Sequence, residues 1–77
     1  MIRYFELTDP LRRGEIIRED GRKHYRFSFG AFQWERTTVF QAYITEGTAL
    51  CGQFRQLPEQ DAQPLLIQRG KVFSAQL

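Results

Sequence analysis

The sequence predicts a small, mainly β domain: a curled antiparallel sheet or barrel of about six short strands built from hairpins. Short stretches rich in Phe, Tyr, Ile, Val and Thr recur between Gly and Pro residues and alternate in part with polar residues. A strong turn signal, Asp20-Gly21, lies between two of them. The alternative is an α+β domain in which one helix, from residues 57–64 or from the segment TTVFQAYI, packs on the sheet.

The length fits a single domain over residues 1–77, because folded units below about 50 residues rarely sustain a core. A domain of this size buries only about 60% of the surface that its unfolded chain exposes. Seven Phe, three Tyr and one Trp, which make up 14% of the residues, supply large apolar side chains for that core. We therefore expect a folded domain rather than a disordered tail.

The first strand is expected in IRYFEL, and Asp9-Pro10 begins the loop that follows it. A hairpin over residues 14–29 comes next, with Asp20-Gly21 as its two-residue turn. Residues whose numbers add up to 41 would then face each other, which pairs Ile17 with His24. One face of this hairpin should be buried and the other wet. The expected buried face carries Ile16, Tyr25, Phe27 and Phe29, and the expected wet face carries Glu15, Ile17, Glu19, Arg22, His24, Arg26 and Ser28.

A second hairpin is expected around Glu46-Gly47, between TTVFQAYIT and TALCGQFRQL. Both of its faces would be largely apolar, so it would need cover on two sides. One of those faces carries Phe40, Ala42 and Ile44, and we expect it to meet a protein partner or a second copy of the chain.

A third hairpin is expected over residues 65–74, with a turn near Arg69-Gly70 and Ile67 opposite Val72. One helical turn near 58–62 would precede it, with Pro58 at the first position and Glu59 and Asp61 at the positive end of the helix dipole. Pro64 is expected to stop that turn.

The sequence contains no recognisable catalytic, cofactor-binding or metal-binding pattern, so we expect no enzyme, no cofactor and no metal. His24 and Cys51 are the only His and Cys, whereas a catalytic zinc usually takes three protein ligands. His24 is expected at the surface, and Cys51, in an apolar segment, is expected to be an inert small hydrophobe. The glycines do not form a nucleotide-binding fingerprint.

We expect a cytoplasmic protein without a membrane segment. Arg3, Glu6 and Asp9 interrupt the first ten residues, which therefore lack the apolar stretch of a signal peptide. No apolar run approaches the roughly 20 residues that cross a bilayer. A lone cysteine cannot form an intramolecular disulfide.

The stretch RKHYRFSFGAFQWER, residues 22–36, interleaves basic and aromatic side chains and is the strongest candidate for a binding surface. Nine of the eleven basic residues of the chain are Arg, which makes bidentate contacts with carboxylate or phosphate and stacks on rings. We expect Tyr25, Phe27 and Phe29 in the core. The candidate binding surface consists of Arg22, His24, Arg26, Phe32, Trp34 and Arg36.

A small binding module that acts on a protein partner or on its own copy is the function that the sequence favours. Arg, Trp and Tyr are frequent anchors of protein interfaces. The alternative is a small β-barrel that binds single-stranded nucleic acid through a basic groove and stacking rings. The net charge of only +2, with Glu15, Glu19, Asp20 and Glu35 in or beside the same stretch, weighs against that alternative.

Overall fold

Five strands form one antiparallel sheet in the order β4-β3-β2-β1-β5, in a computed structural model that describes residues 1–76, with side chains as far as Arg69. The strands are β1 (Ile2–Leu7), β2 (Ile16–Asp20), β3 (Lys23–Ser28), β4 (Gln33–Arg36) and β5 (Phe54–Leu57). A short helix α1 (Gln41–Ile44) precedes β5, and helix α2 (Glu59–Gln76) follows it. The predicted mainly β class with a small curled sheet is confirmed. The sheet is open, so of the two predicted forms the curled sheet is correct and the barrel is wrong.

The first hairpin forms between β2 and β3, but in a register two residues away from the predicted one. Residues whose numbers add up to 43 face each other, so that Ile17 lies opposite Arg26 and Glu19 lies opposite His24. The turn residues are therefore Gly21 and Arg22. Gly21 has φ +62°, and Arg22 is not among the residues with positive φ. Positive φ at the first central residue alone is the pattern of a type II′ turn rather than the type I′ turn expected of Asp-Gly.

A two-residue shift keeps every side chain on its predicted face, because side chains alternate with a period of two. The expectation that one face is wet is correct for Arg22 and Arg26, which are exposed, but wrong for Ile17 and His24. Ile17 is fully buried and His24 is 6% exposed, although both lie on the face expected to be wet. Residues 37–53 cover that face, which we call the α1 face. Its core consists of Phe5, Leu7, Ile17, Phe40 and Tyr43.

The opposite face, which we call the α2 face, has its own smaller core. Ile16 of β2 and Leu57 of β5 are buried there against Leu66 of helix α2. Tyr4, Phe27, Phe29, Trp34 and Leu65 pack around these three residues. Helix α2 packs mainly on β1, so the part of this face formed by β3, β4 and the Asp20 end of β2 is less covered. We call this part the open half of the α2 face.

The second hairpin does not form. Residues 41–44 are helical, a series of turns follows them, and only Phe54–Leu57 is a strand, which pairs with β1. Phe40 and Tyr43 are three residues apart, which puts them on one side of a helical turn, and both are fully buried. The ring of Phe40 stacks on Phe5 at 5.0 Å between centroids. Burial of both rings against the sheet therefore favours a helical turn over a strand.

The prediction of a third hairpin is wrong as well, because helix α2 runs through the whole of residues 65–74 and also through Pro64. The predicted helical turn near 58–62 does form and is the start of α2. Pro64 removes the hydrogen bond that its N–H would give to Gln60, but both residues lie on the exposed side of the helix. Leu66 and Arg69 hold the next turn on the sheet. The predicted partner of Ile67, Val72, has a side chain outside the described part.

Candidate functional site

A row of side chains crosses the open half of the α2 face. The strand registers place Arg18 of β2 opposite Tyr25 of β3, and Tyr25 opposite Arg36 of β4. The Cζ atoms of the two guanidinium groups each lie 5.9 Å from the centroid of the Tyr25 ring, within the range of a cation–π contact. We call these three residues the Arg–Tyr row. The sheet thus presents a ring between two cations.

Within the part of the chain whose side chains are described, the arginines of the Arg–Tyr row have no acidic partner. None of the ion pairs found among residues 1–69 involves Arg18 or Arg36. On the same face of β2, Asp20 lies two residues from Arg18 and faces Lys23 across the hairpin end. The guanidinium groups of the row are therefore available to a ligand.

The glutamates that interrupt the basic stretch of the sequence lie on the opposite, α1 face. Glu19 forms an ion pair with Arg3, and its Oε2 lies 3.0 Å from Nε2 of His24. Arg26 lies between Glu15 and Glu35, 3.6 Å from each carboxylate. Burial alone would raise the pKa of Glu19, but the hydrogen bonds from His24 and Arg3 outweigh it and lower that pKa. These carboxylates are therefore paired with cationic or hydrogen-bonding side chains of their own face, and they do not face the Arg–Tyr row.

Next to the Arg–Tyr row lies a group of rings centred on Phe27. The centroids of Phe29, Phe32 and Trp34 lie 5.0, 5.2 and 5.2 Å from that of Phe27, each in an edge-to-face arrangement. We call these four residues the aromatic cluster. All but Phe32 are partly buried and pack around the Ile16 core. The cluster therefore packs against the Ile16 core and also forms a continuous aromatic surface beside the Arg–Tyr row.

Phe32 stands out in this cluster for its exposure and its backbone. It is 58% exposed, and it is the non-glycine residue with positive φ, 53°, among the described residues. For a bulky side chain this backbone region is unfavourable. The four-residue turn between β3 and β4 thus holds a large ring at the surface.

The six predicted surface residues do not converge on one face. Trp34, Phe32 and Arg36 lie on the α2 face, whereas Arg26 and the buried His24 lie on the α1 face. Arg22 lies in the hairpin turn. The expectation of His24 as a surface histidine is wrong, because Glu19 and the ring of Phe40 enclose it.

Sequence reasoning missed Arg18 and assigned Tyr25 to the core. The alternation in the first hairpin already places both on one face, since a slip of two residues does not change it. That alternation was the signal that could have found them.

The predicted partner-facing residues also separate. Phe40 is fully buried in the core of the α1 face, Ala42 packs against that core, and Ile44 is 46% exposed. The strand that would have aligned them is helix α1. Cys51 is exposed rather than buried in an apolar strand.

Over the described part of the chain, no three His, Cys, Asp or Glu side chains come together in a group that could hold a metal ion. Neither described helix is both long and apolar enough to span a membrane. Comparison with protein-family models, with curated proteins and with solved structures gives no match. The geometry of the α2 face is therefore the guide to function.

Proposed function

We propose that the chain is a non-catalytic, cytoplasmic module that binds single-stranded nucleic acid on its α2 face. The observation that supports this proposal is the Arg–Tyr row, in which Tyr25 lies between two guanidinium groups that have no acidic partner among residues 1–69. Proteins that bind single strands combine cations along the phosphate backbone with rings that stack on bases. In this proposal Arg18 and Arg36 contact phosphates and Tyr25 stacks on a base.

The distribution of charge supports the same ligand. Three cations, Arg18, Lys23 and Arg36, lie on the open half of the α2 face against one carboxylate, Asp20. The opposite face carries Glu15, Glu19 and Glu35 in ion pairs. A chain with a net charge of only +2 thus carries a local positive surface, and such a surface attracts a polyanion.

The test is a titration of labelled single-stranded RNA and DNA at two salt concentrations. Binding should weaken as salt rises, because each phosphate contact releases counterions. Arg36→Ala should weaken binding to every sequence and reduce the slope of log affinity against log salt by about one. Tyr25→Ala should cost about 1–3 kcal/mol of binding free energy, the range measured for one stacked base.

Arg3→Ala is the matched control, because Arg3 is an exposed arginine on the α1 face, opposite Glu19 in the register of β1 with β2. It removes the same charge and should leave most of the affinity. Equal losses from Arg36→Ala and Arg3→Ala would mean that net charge alone drives binding, and an absence of salt-sensitive binding would eliminate this function.

A protein partner, or a second copy of the chain, is a second candidate for the same face. The 58% exposure of Phe32 and its unfavourable backbone favour it, because exposed rings and arginines anchor protein interfaces. Sedimentation equilibrium tests the second copy directly. Association that Phe32→Ser abolishes would support it, and a strict monomer at high concentration would count against it.

A further inference from the structure

A cleft of about 830 Å³ lies at the end of the sheet opposite the Gly21–Arg22 turn, and three arginines line it. Arg13 comes from the loop after β1, Arg55 from β5 and Arg69 from helix α2. Glu6, Glu15 and Phe29 contribute to its walls. Three separate segments of the chain thus bring guanidinium groups to one place.

Two of these arginines are held in place by the buried carboxylate of Glu6. Nε of Arg55 donates to Oε1 of Glu6 at 2.6 Å, and Nη2 of Arg69 donates to Oε2 of the same carboxylate. Arg69 also donates to the carbonyl oxygen of Gly14. Burial alone would raise the pKa of Glu6, but the hydrogen bonds from Arg69 and Arg55 lower it. The carboxylate therefore stays ionised near neutral pH and orients both side chains.

Among the described residues, some guanidinium N–H donors of the cleft have no hydrogen-bond partner. Arg13 is exposed and takes part in none of the side-chain hydrogen bonds or ion pairs found among residues 1–69. Arg55 uses only Nε, and its side chain is 61% exposed. The Glu15 carboxylate lies 3.6 Å from Arg26 and 3.9 Å from Arg12, so its charge is offset from outside the cleft. An anion entering the cleft would meet Arg13 and the terminal nitrogens of Arg55.

The cleft is continuous with the surface proposed to bind nucleic acid. Phe29, which lines the cleft, contacts Phe27 at 5.0 Å between ring centroids, and Phe27 contacts Trp34 at 5.2 Å. Tyr25 lies two residues before Phe27 on the same face of β3. At about 3.3 Å per strand residue, the path from Tyr25 to Phe29 is about 13 Å long. The aromatic cluster thus links the Arg–Tyr row to the cleft.

We infer that this cleft is a phosphate subsite for the single strand bound on the α2 face, with Arg13 and Arg55 as its donors. Guanidinium groups suit this ligand, because their planar donors match the oxygens of a phosphate. The inference rests on the proposed function. It adds a path for the bound nucleic acid, which runs from the Arg–Tyr row along the aromatic cluster. The last contact is made in the cleft, at the end of the sheet where β1 meets the loop that follows it.

A length series of oligonucleotides tests this path. Oligothymidylates of about 2 to 12 nucleotides are titrated against the wild type and Arg13→Ala, since small single-strand-binding folds cover roughly 4 to 16 nucleotides. Wild-type affinity should rise once the strand reaches the cleft. Arg13→Ala should bind the shortest oligomers like the wild type, but bind the longer ones several-fold more weakly, with a salt slope lower by about one. Because Arg13 has no described partner, this variant should fold normally.

Arg22→Ala is the matched control, because Arg22 is exposed in the turn at the other end of the sheet. It removes one charge but should keep the gain in affinity with length. Retained binding with the same length dependence in Arg13→Ala and the wild type would overturn the phosphate subsite and leave the proposed function standing. Failure of the wild type to bind oligomers of any length would overturn both.

Discussion

At the scale of single residues, Ile16 and Ile17 show why this chain has two cores. They are neighbours in β2, they point to opposite faces of the sheet, and both are fully buried. Ile17 packs with Phe5 and Phe40, whereas Ile16 packs with Leu57 and Leu66. Both faces of the sheet therefore need cover, which the segment around α1 and helix α2 supply.

A buried polar pair secures the cover of the α1 face. The Tyr43 hydroxyl donates to Oδ1 of Asp9 at 2.5 Å, and both residues are fully buried. This hydrogen bond lowers the pKa of Asp9 despite its burial, with help from the backbone N–H of Arg12. Burial raises the pKa of Tyr43, and the hydrogen bond to Asp9 raises it further. The pair ties the loop after β1 to helix α1.

Phe40 should behave as a core residue and Ile44 as a surface residue. Phe40→Ala should reduce the free energy of unfolding by about 3–5 kcal/mol, the usual cost of truncating a buried aromatic ring. Ile44→Ala should change it by about 0.5 kcal/mol or less, because Ile44 is 46% exposed. Urea titration followed by tryptophan fluorescence measures both.

If Phe40→Ala does not fold, Phe40→Leu keeps most of the apolar volume and should show a smaller loss in the same measurement. Equal effects of Phe40→Ala and Ile44→Ala would contradict the burial of the Phe40 ring.

At the scale of elements, the first hairpin shows which part of a turn signal is reliable. The glycine of Asp20-Gly21 adopts positive φ as expected, but it occupies the first rather than the second turn position. The observed register places Glu19 directly opposite His24, where the two side chains meet at 3.0 Å. Gly21 can occupy either the first or the second position of a two-residue turn. Side-chain pairing across the strands decides which of these two turns forms.

The backbone at Gly21 predicts a specific substitution effect. Gly21→Ala should destabilise the domain by about 1–2 kcal/mol, because its φ of +62° is unfavourable for an L residue with a Cβ atom. Space is not the cause, since nothing lies within 4 Å of the added Cβ. Thermal unfolding followed by circular dichroism measures the loss.

Gly30→Ala is the matched control, because its Cβ is equally unobstructed and its φ lies outside the positive region. It should be neutral or stabilise the domain by up to about 1 kcal/mol, by reducing the freedom of the unfolded chain. A Gly21→Ala variant as stable as Gly30→Ala would rule out the positive φ at the turn.

At the scale of the whole molecule, two buried carboxylates and one half-buried carboxylate connect the elements to one another. Glu6 joins β1 to β5 and α2, Asp9 joins the loop after β1 to α1, and Glu19 joins β2 to β1 and β3. The pKa of each of the three is lowered in the folded chain. A group with a lowered pKa stabilises the folded state above its unfolded pKa, and that stabilisation is lost as the pH falls through the folded value.

The domain should therefore lose stability in acid. Because unfolded Asp and Glu titrate near pH 4, the urea midpoint should hold down to about pH 5 and fall steadily below it. Glu6→Gln should be less stable at neutral pH and should show a smaller fall in acid, since one of the three groups no longer titrates. Urea titrations from about pH 7 to pH 2 measure both effects, and a fall of the same size in the variant would exclude Glu6 as a contributor.

The sequence by itself determined the parts of this protein that depend on local alternation and turns. The β class, strand β1, the two strands of the first hairpin and the face of each of their side chains follow from a period of two, which a slip of two residues leaves intact. For the candidate site, this alternation is enough to place Arg18 and Tyr25 on one face, whereas Arg36 and Trp34 are placed beside them only by the register of β3 with β4.

Only the tertiary structure decided what covers the sheet. Residues 37–44 and 65–74 have strand-like composition, yet they contribute to α1 and α2. The rings of Phe40 and Tyr43 are buried on one core as parts of a helical turn, and Leu66 and Arg69 reach β1 and β5 from a helix that passes through Pro64. The physical reason is that contacts with residues far away in the chain outweigh local propensity in a domain with this little surface to bury.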